Sequence, residues 1–246
     1  MYGIDNFNVE SVLDKFREME SGINEIYKSL PSTIGCMKSI EDVKSSCGAW
    51  CCEEQNPSVW FCEFLNTLSS FILKMDPVDF SKLIELCLKK YLLIDRSSGC
   101  VFWDSDTKLC KQHESRPVNC YFYGVTPEEE FQPRYERLKV LNNNVKPQCN
   151  LIMLENGDKF MTKDDIDSSF DAIRQLEETL GVPSHFLNDS DGGSYRSYHE
   201  HVLLWILGES QMCDLSVVRA SHSMMAKKHL IRKICDCLRE SFSNAG

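Results

Sequence analysis

The sequence predicts a mostly α fold: a helical domain with a loop-rich cysteine-cluster metal-binding region and little β-structure. Three observations predict it. Apolar residues recur three and four positions apart over most of the chain; thirteen cysteines, an odd number, gather mainly in aperiodic connections; and strand-like sequence is confined to one short stretch around Asn156-Gly157. The organisation that follows is an N-terminal helical segment at 1–46, a cysteine-cluster region at 47–150 and a C-terminal helical region at 151–246.

Each element has its own local reason. Residues 9–30 set Val12, Leu13, Phe16, Met19, Ile23, Ile26 and Tyr27 on one face, and Pro31 stops the helix. Residues 59–75 and 78–94 read as two further helices, divided at Asp76-Pro77, where aspartate suits the N-cap and proline the first helical position. "TPEEEFQPRYERLKVLN" reads as a short helix whose acidic first turn suits the dipole. "LIMLENGDKFMT" reads as a hairpin turning at Asn156-Gly157. Thr162 caps a helix over 164–180, ended by Gly181 and Pro183, and two more apolar stripes occupy 195–208 and 215–242.

Composition narrows the function classes. At 246 residues and 42% hydrophobic, the chain can bury a core without help from a metal. Its formal charge of -10 repels phosphate backbones and anionic lipid, which argues against nucleic acid and membrane as partners. The N-terminus shows no basic stretch leading into an apolar one, and "VLLWIL" at 202–207 is too short to cross a bilayer. The expectation is a soluble cytoplasmic protein. In such a reducing compartment, many thiols point to metal sooner than to disulfides.

The cysteines sort into two groups. Cys36, Cys87, Cys213, Cys235 and Cys237 read as small apolar packing groups, Cys87 sharing a stripe with Leu83, Ile84 and Tyr91. Cys47, Cys51, Cys52, Cys100, Cys110, Cys120 and Cys149, with Cys62 as an eighth, are the candidate metal ligands, most of them in loop-like sequence near Gly48, Gly99 or Pro147. Structural zinc takes four ligands, commonly in close pairs; only Cys47 with Cys51 or Cys52 makes such a pair, and seven or eight thiols exceed one tetrahedral site. Adjacent Cys51 and Cys52 point opposite ways in extended chain and suit two sites. Two 4Fe–4S clusters need eight thiolates, so an iron–sulfur cofactor is preferred, with zinc as the alternative.

"CGAWCC", then "CVFWDSDTKLCKQHESRPVNC" and "PQC", resembles the YkgJ-type cysteine-cluster family, described as zinc- or iron-chelating, over residues 47–149. That family shows a "C-x-I-Y-x-x-R-P-x-x-C" element; here Gln112-His113 stands in place of Ile-Tyr, and Tyr121 where arginine is common. The resemblance implies that Cys47, Cys51, Cys52, Cys100, Cys110, Cys120 and Cys149 are ligands. The cysteine cluster is also distantly similar to that of flagellin lysine methylases. In the opening loop of this element Cys100, Cys110 and Cys120 are ten apart, and Arg116 is the candidate cofactor-binding residue, donating to sulfide or thiolate; surface ion pairing is its alternative. His113 is a further candidate ligand, and Phe102, Trp103, Tyr121 and Phe122 either exclude water from the site or belong to the core.

Other candidates carry less. His199, Glu200 and His201 are too close in sequence to share a helical face, while His222 and His229, seven apart, read as solvated or core residues. There is no G-x-S-x-G, H-E-x-x-H or phosphate loop, so catalytic residues are unknown. The basic run at 219–233 reads as a solvated helix face or as a docking surface for an acidic partner. The expected function is electron transfer, or assistance to a protein redox or modifying partner, by an accessory protein sooner than a stand-alone enzyme. The alternatives are a structural zinc scaffold and a component of S-adenosylmethionine-dependent lysine methylation, although no Gly-rich nucleotide loop is present.

Overall fold

A computed structural model describes residues 9–31, 33–34, 56–93, 99–104, 106–107, 109–123, 125–141, 153–154, 159–188 and 192–243. In chain order these form α1 (Val9–Lys28), β1 (Thr33–Ile34), β2 (Ser58–Val59), α2 (Phe61–Ser70), a 3-10 turn (Ile72–Lys74) and α3 (Pro77–Leu93). Then follow β3 (Trp103–Asp104), β4 (Leu109–Cys110), a 3-10 turn (His113–Ser115), α4 (Val118–Phe122), α5 (Glu128–Leu141) and β5 (Met153–Leu154). The last elements are α6 (Lys163–Leu180), a 3-10 turn (Ser184–Phe186), β6 (Arg196–Ser197), α7 (Tyr198–Ala220) and α8 (Met224–Ser243). The fold is predominantly α-helical, with minimal β-structure.

The helix ends follow the local chemistry. Asp76 Oδ1 accepts the amides of Val78 and Asp79 at 2.8 and 3.0 Å, so α3 starts at Pro77. Thr162 accepts the Asp165 amide and Asp165 answers with the Thr162 amide, a capping box that opens α6. Gly181 ends α6 at φ 77, in the left-handed region where a side chain is strained.

Two of the described strand pairs tie distant segments together, and β3 with β4 is a local hairpin. Antiparallel pairs join β1 with β5, β2 with β6 and β3 with β4. Met153–Leu154 was expected to fold back on its own C-terminal side, but it pairs with Thr33–Ile34 instead. The turn at Asn156-Gly157 lies outside the described residues.

α2 is the centre of the molecule. Its residues from Phe61 to Leu68 are all buried, apolar and polar alike, with α1, α6 and α7 packed around it. Phe61 and Phe64 are fully enclosed, each contributing about 2–3 kcal/mol by removing an aromatic ring from water. Phe186 covers Phe61 with ring centroids 4.4 Å apart, and His201 stacks on Phe64 at 5.2 Å. α1 approaches α6 closely at Gly22, where an added Cβ would sit 2.5 Å from Leu176 Cδ1. On the other side, α3 packs against α7 and α8.

Two expectations are corrected here. The gap foreseen after Gly208 is helical: α7 continues to Ala220, broken only at Gly208 itself, whose φ 73 and ψ 173 are open to glycine and costly to other residues. Among the described residues the loop-rich cysteine-cluster region is not found: the described part of residues 47–150 is mainly α2, α3, the β3–β4 hairpin, α4 and α5, and no three described His, Cys, Asp or Glu side chains are grouped to hold a metal ion.

Candidate functional site

The N-terminus of α2 is enclosed, so its free amides cannot turn to water and must find acceptors inside the protein. Two carboxylates and one hydroxyl supply them. Glu63 Oε2 accepts the Trp60 amide at 3.0 Å. Ser194 Oγ accepts the Phe61 amide at 2.9 Å, and Glu177 Oε1 accepts the Cys62 amide at 2.8 Å. The Ser194 hydroxyl in turn donates to Glu177 Oε2 at 2.5 Å. The helix dipole favours negative charge at this end.

Glu63 also joins three elements. Its Oε1 accepts the Val118 amide, first in α4, at 2.7 Å and the Tyr27 hydroxyl from α1 at 3.1 Å. Burial pushes its carboxyl up to about 7, against the hydrogen bonds from Trp60, Val118 and Tyr27, which favour the charged form. Glu177 is raised for the same leading reason, with Ser194 and Cys62 opposing. Burial lifts the Tyr27 phenol well above its ordinary range, and nearby Glu63 adds to this. Tyr27 lies 5.3 Å from Tyr121, and the Arg116 guanidinium sits 4.1 Å above the Tyr121 ring.

These positions revise the role of the thiols. Cys62 is fully buried at the start of α2; burial, then the charge of Glu177, raises its thiol well above the ordinary value. Cys100 is buried just before β3, Cys110 pairs with Trp103 in the β3–β4 hairpin, and Cys120 lies in α4. Cys87, on α3, is raised by burial too. Cys47, Cys51, Cys52 and Cys149 lie outside the described residues. Arg116, buried, stacks on Tyr121 and contacts His113.

A second polar group sits at the start of α7. The Asn56 amide donates to His199 Nδ1 at 2.5 Å, leaving His199 Nε2 to meet Ser197 Oγ at 3.3 Å. Glu200 accepts the Ser197 hydroxyl at 2.6 Å and faces Arg219, whose guanidinium lies 4.6 Å over Tyr91. His201 points elsewhere, toward the Val59 carbonyl at 3.1 Å. Burial lowers both histidines to about 4 and keeps them neutral.

The exposed surface is different in kind. At the corner between α7 and α8, Val217 is 71% exposed, Met224 51% and Met225 85%. Residues 217–233 hold Arg219, Lys227, Lys228, Arg232 and Lys233 and none of the 37 acidic side chains. Lys228, His229, Arg232 and Lys233 are exposed on α8, in two rows four apart that begin at Met224 and Met225. Asp236 and Glu240, also exposed, continue the row of Met224, Lys228 and Arg232 along α8.

No family model, no curated protein and no solved structure matches the chain. Together with the ungrouped His, Cys, Asp and Glu among the described residues, this overturns the cysteine-cluster family assignment. The iron–sulfur cofactor, the zinc alternative and the functions resting on them, including electron transfer and lysine methylation, are withdrawn with it. No described helix is long and apolar enough to cross a membrane.

Sequence reasoning missed the cap. Glu177 falls on the apolar stripe of Ile166, Phe170, Ile173 and Leu180, and Glu63 stands three residues after Trp60, the return position of a capping box. A carboxylate inside an apolar stripe was the available signal.

Proposed function

We propose that the chain is an accessory protein that works by binding a protein partner. The observation that carries this reading is the corner between α7 and α8, where Met224 and Met225 stand in solvent on the same helix as exposed Lys228, Arg232 and Lys233, in a run, 217–233, that contains no acid. Methionine is flexible and polarizable, and adapts to apolar surfaces of varied shape. The interior carboxylates Glu63 and Glu177 support the same reading from the other side. Both are buried and engaged with the chain's own amides, which is structural chemistry.

The partner in this reading is neither nucleic acid nor a membrane. A chain of charge -10 repels extended polyanions, and the acids bordering the patch limit what a large anionic surface can reach. In-cell photocrosslinking tests the role. A benzophenone side chain at exposed Ala226 is expected to give a discrete protein adduct, and the same group at exposed Ser168 on α6 none. Equal adducts at both positions, or none at Ala226, would overturn it.

A further inference from the structure

Resting on the accessory reading, we infer that the corner between α7 and α8 docks a short acidic, amphipathic segment of another protein. Its apolar side chains lie on Met224 and Met225, and its carboxylates face Lys228, Arg232 and Lys233.

Charge complementarity selects this occupant. The patch is cationic on a protein that is acidic overall, so a local anion is attracted there. From Met224 to Lys233 the helix rises about 14 Å, which a helical segment of roughly ten residues spans. Met224 and Met225 lead the rows, Lys228 and Arg232 follow the first at steps of four, and Lys233 lies beyond His229 in the second, the arrangement that an acidic helix with apolar residues at one end complements. The first turn of α8 carries no acid, so carboxylates of the partner would also answer the positive end of its dipole.

Other occupants fit less well. A second copy of the chain would have to bring the same cationic face to a two-fold pairing, an outcome that the dimer measurement below distinguishes. A duplex or a bilayer presents charge well beyond the patch, over the acids at Asp236 and Glu240.

The test uses the whole chain and a synthetic, fluorescein-labelled twelve-residue peptide with leucine and phenylalanine four apart at one end and four glutamates after them. Fluorescence anisotropy is expected to show saturable binding that weakens as salt is raised. The paired variant Lys228→Glu/Arg232→Glu is expected to weaken it at least tenfold, and Met225→Ser several-fold. All three positions are exposed, and circular dichroism verifies that the variants keep their helices. Undiminished binding to the charge-reversed variant overturns the inference. Tighter binding of phosphatidylserine vesicles or of a twenty-nucleotide duplex than of the peptide also overturns it, as does a dimer that the charge reversal dissociates. An adduct at Ala226 without peptide binding would sink the acidic occupant and leave the accessory role standing; the absence of both would remove the role as well.

Discussion

Glu177 Oε1 accepts the backbone amide of Cys62 at 2.8 Å, joining the buried side of α6 to the first turn of α2 across 115 positions of sequence. The same carboxylate accepts the Ser194 hydroxyl, and Ser194 accepts the next amide back. Removing it leaves buried donors without acceptors. Glu177→Ala is expected to cost about 3 kcal/mol of stability, and Glu177→Gln, which keeps one carbonyl acceptor, about 1–2 kcal/mol. Urea unfolding followed by circular dichroism measures both. An alanine variant within about 0.5 kcal/mol of the parent, the range of ordinary surface substitutions, would rule out the cap.

Glu63 gives a pH signature. Its carboxyl rises from 4.5 to about 7 on folding, so the folded state holds this proton more tightly. The contribution of Glu63 to stability is therefore greatest below pH 4.5 and falls as pH rises to 7, by about 3 kcal/mol in all. His199 and His201 act the other way, because folding lowers them from 6.5 to about 4 and stability is gained as pH rises through that window. The parent profile mixes these effects, and the difference from Glu63→Gln separates them. The stability of the variant relative to the parent is expected to climb between pH 4.5 and 7 in urea titrations. A flat difference would contradict the burial of an ionisable Glu63.

Cysteine reactivity separates packing thiols from accessible ones. Cys62 and Cys87 are fully buried with raised thiols, while Cys213 is exposed on α7. Iodoacetamide at pH 8 followed by peptide mass spectrometry is expected to label Cys213 in the folded protein. Cys62 and Cys87 are expected to react only after denaturation. Labelling of native Cys62 at the rate of Cys213 would refute its place inside α2.

At Gly208 the cost is in the backbone alone. Nothing lies within 4 Å of where a Cβ would stand, yet φ is 73 and ψ 173. Gly208→Ala is expected to destabilise the protein by about 1–3 kcal/mol, read as a lowered midpoint of thermal unfolding. An unchanged midpoint would mean that α7 runs straight through this position.

The helices were legible because their signals are local. Asp76 with Pro77, Thr162 and Gly181 mark helix ends by hydrogen-bonding and backbone preferences that need only a few residues. The break at Gly208 was legible as glycine, but the continuation of α7 to Ala220 was not. Its main packing partner, α3, is distant in sequence. The partners of Glu63 and Glu177 were hidden for the same reason, since they come from Tyr27, Val118 and Ser194. Thiol spacing misled because a cysteine such as Cys62 or Cys100 is as well suited to a dry core as to a metal. The basic run at 219–233 was visible in sequence, whereas the exposure of Met224 and Met225 beside it required the fold.

The most direct measurement is a methyl spectrum of the protein labelled with ¹³C at its nine methionines, titrated with the acidic peptide. Met224 and Met225 are exposed on α8, while Met19, Met161 and Met212 are buried elsewhere. The account predicts that the Met224 and Met225 methyl signals move together and saturate, with Met19, Met161 and Met212 unchanged. Saturating shifts at the buried methionines with Met224 and Met225 still, or no shifts at any methionine, would contradict it.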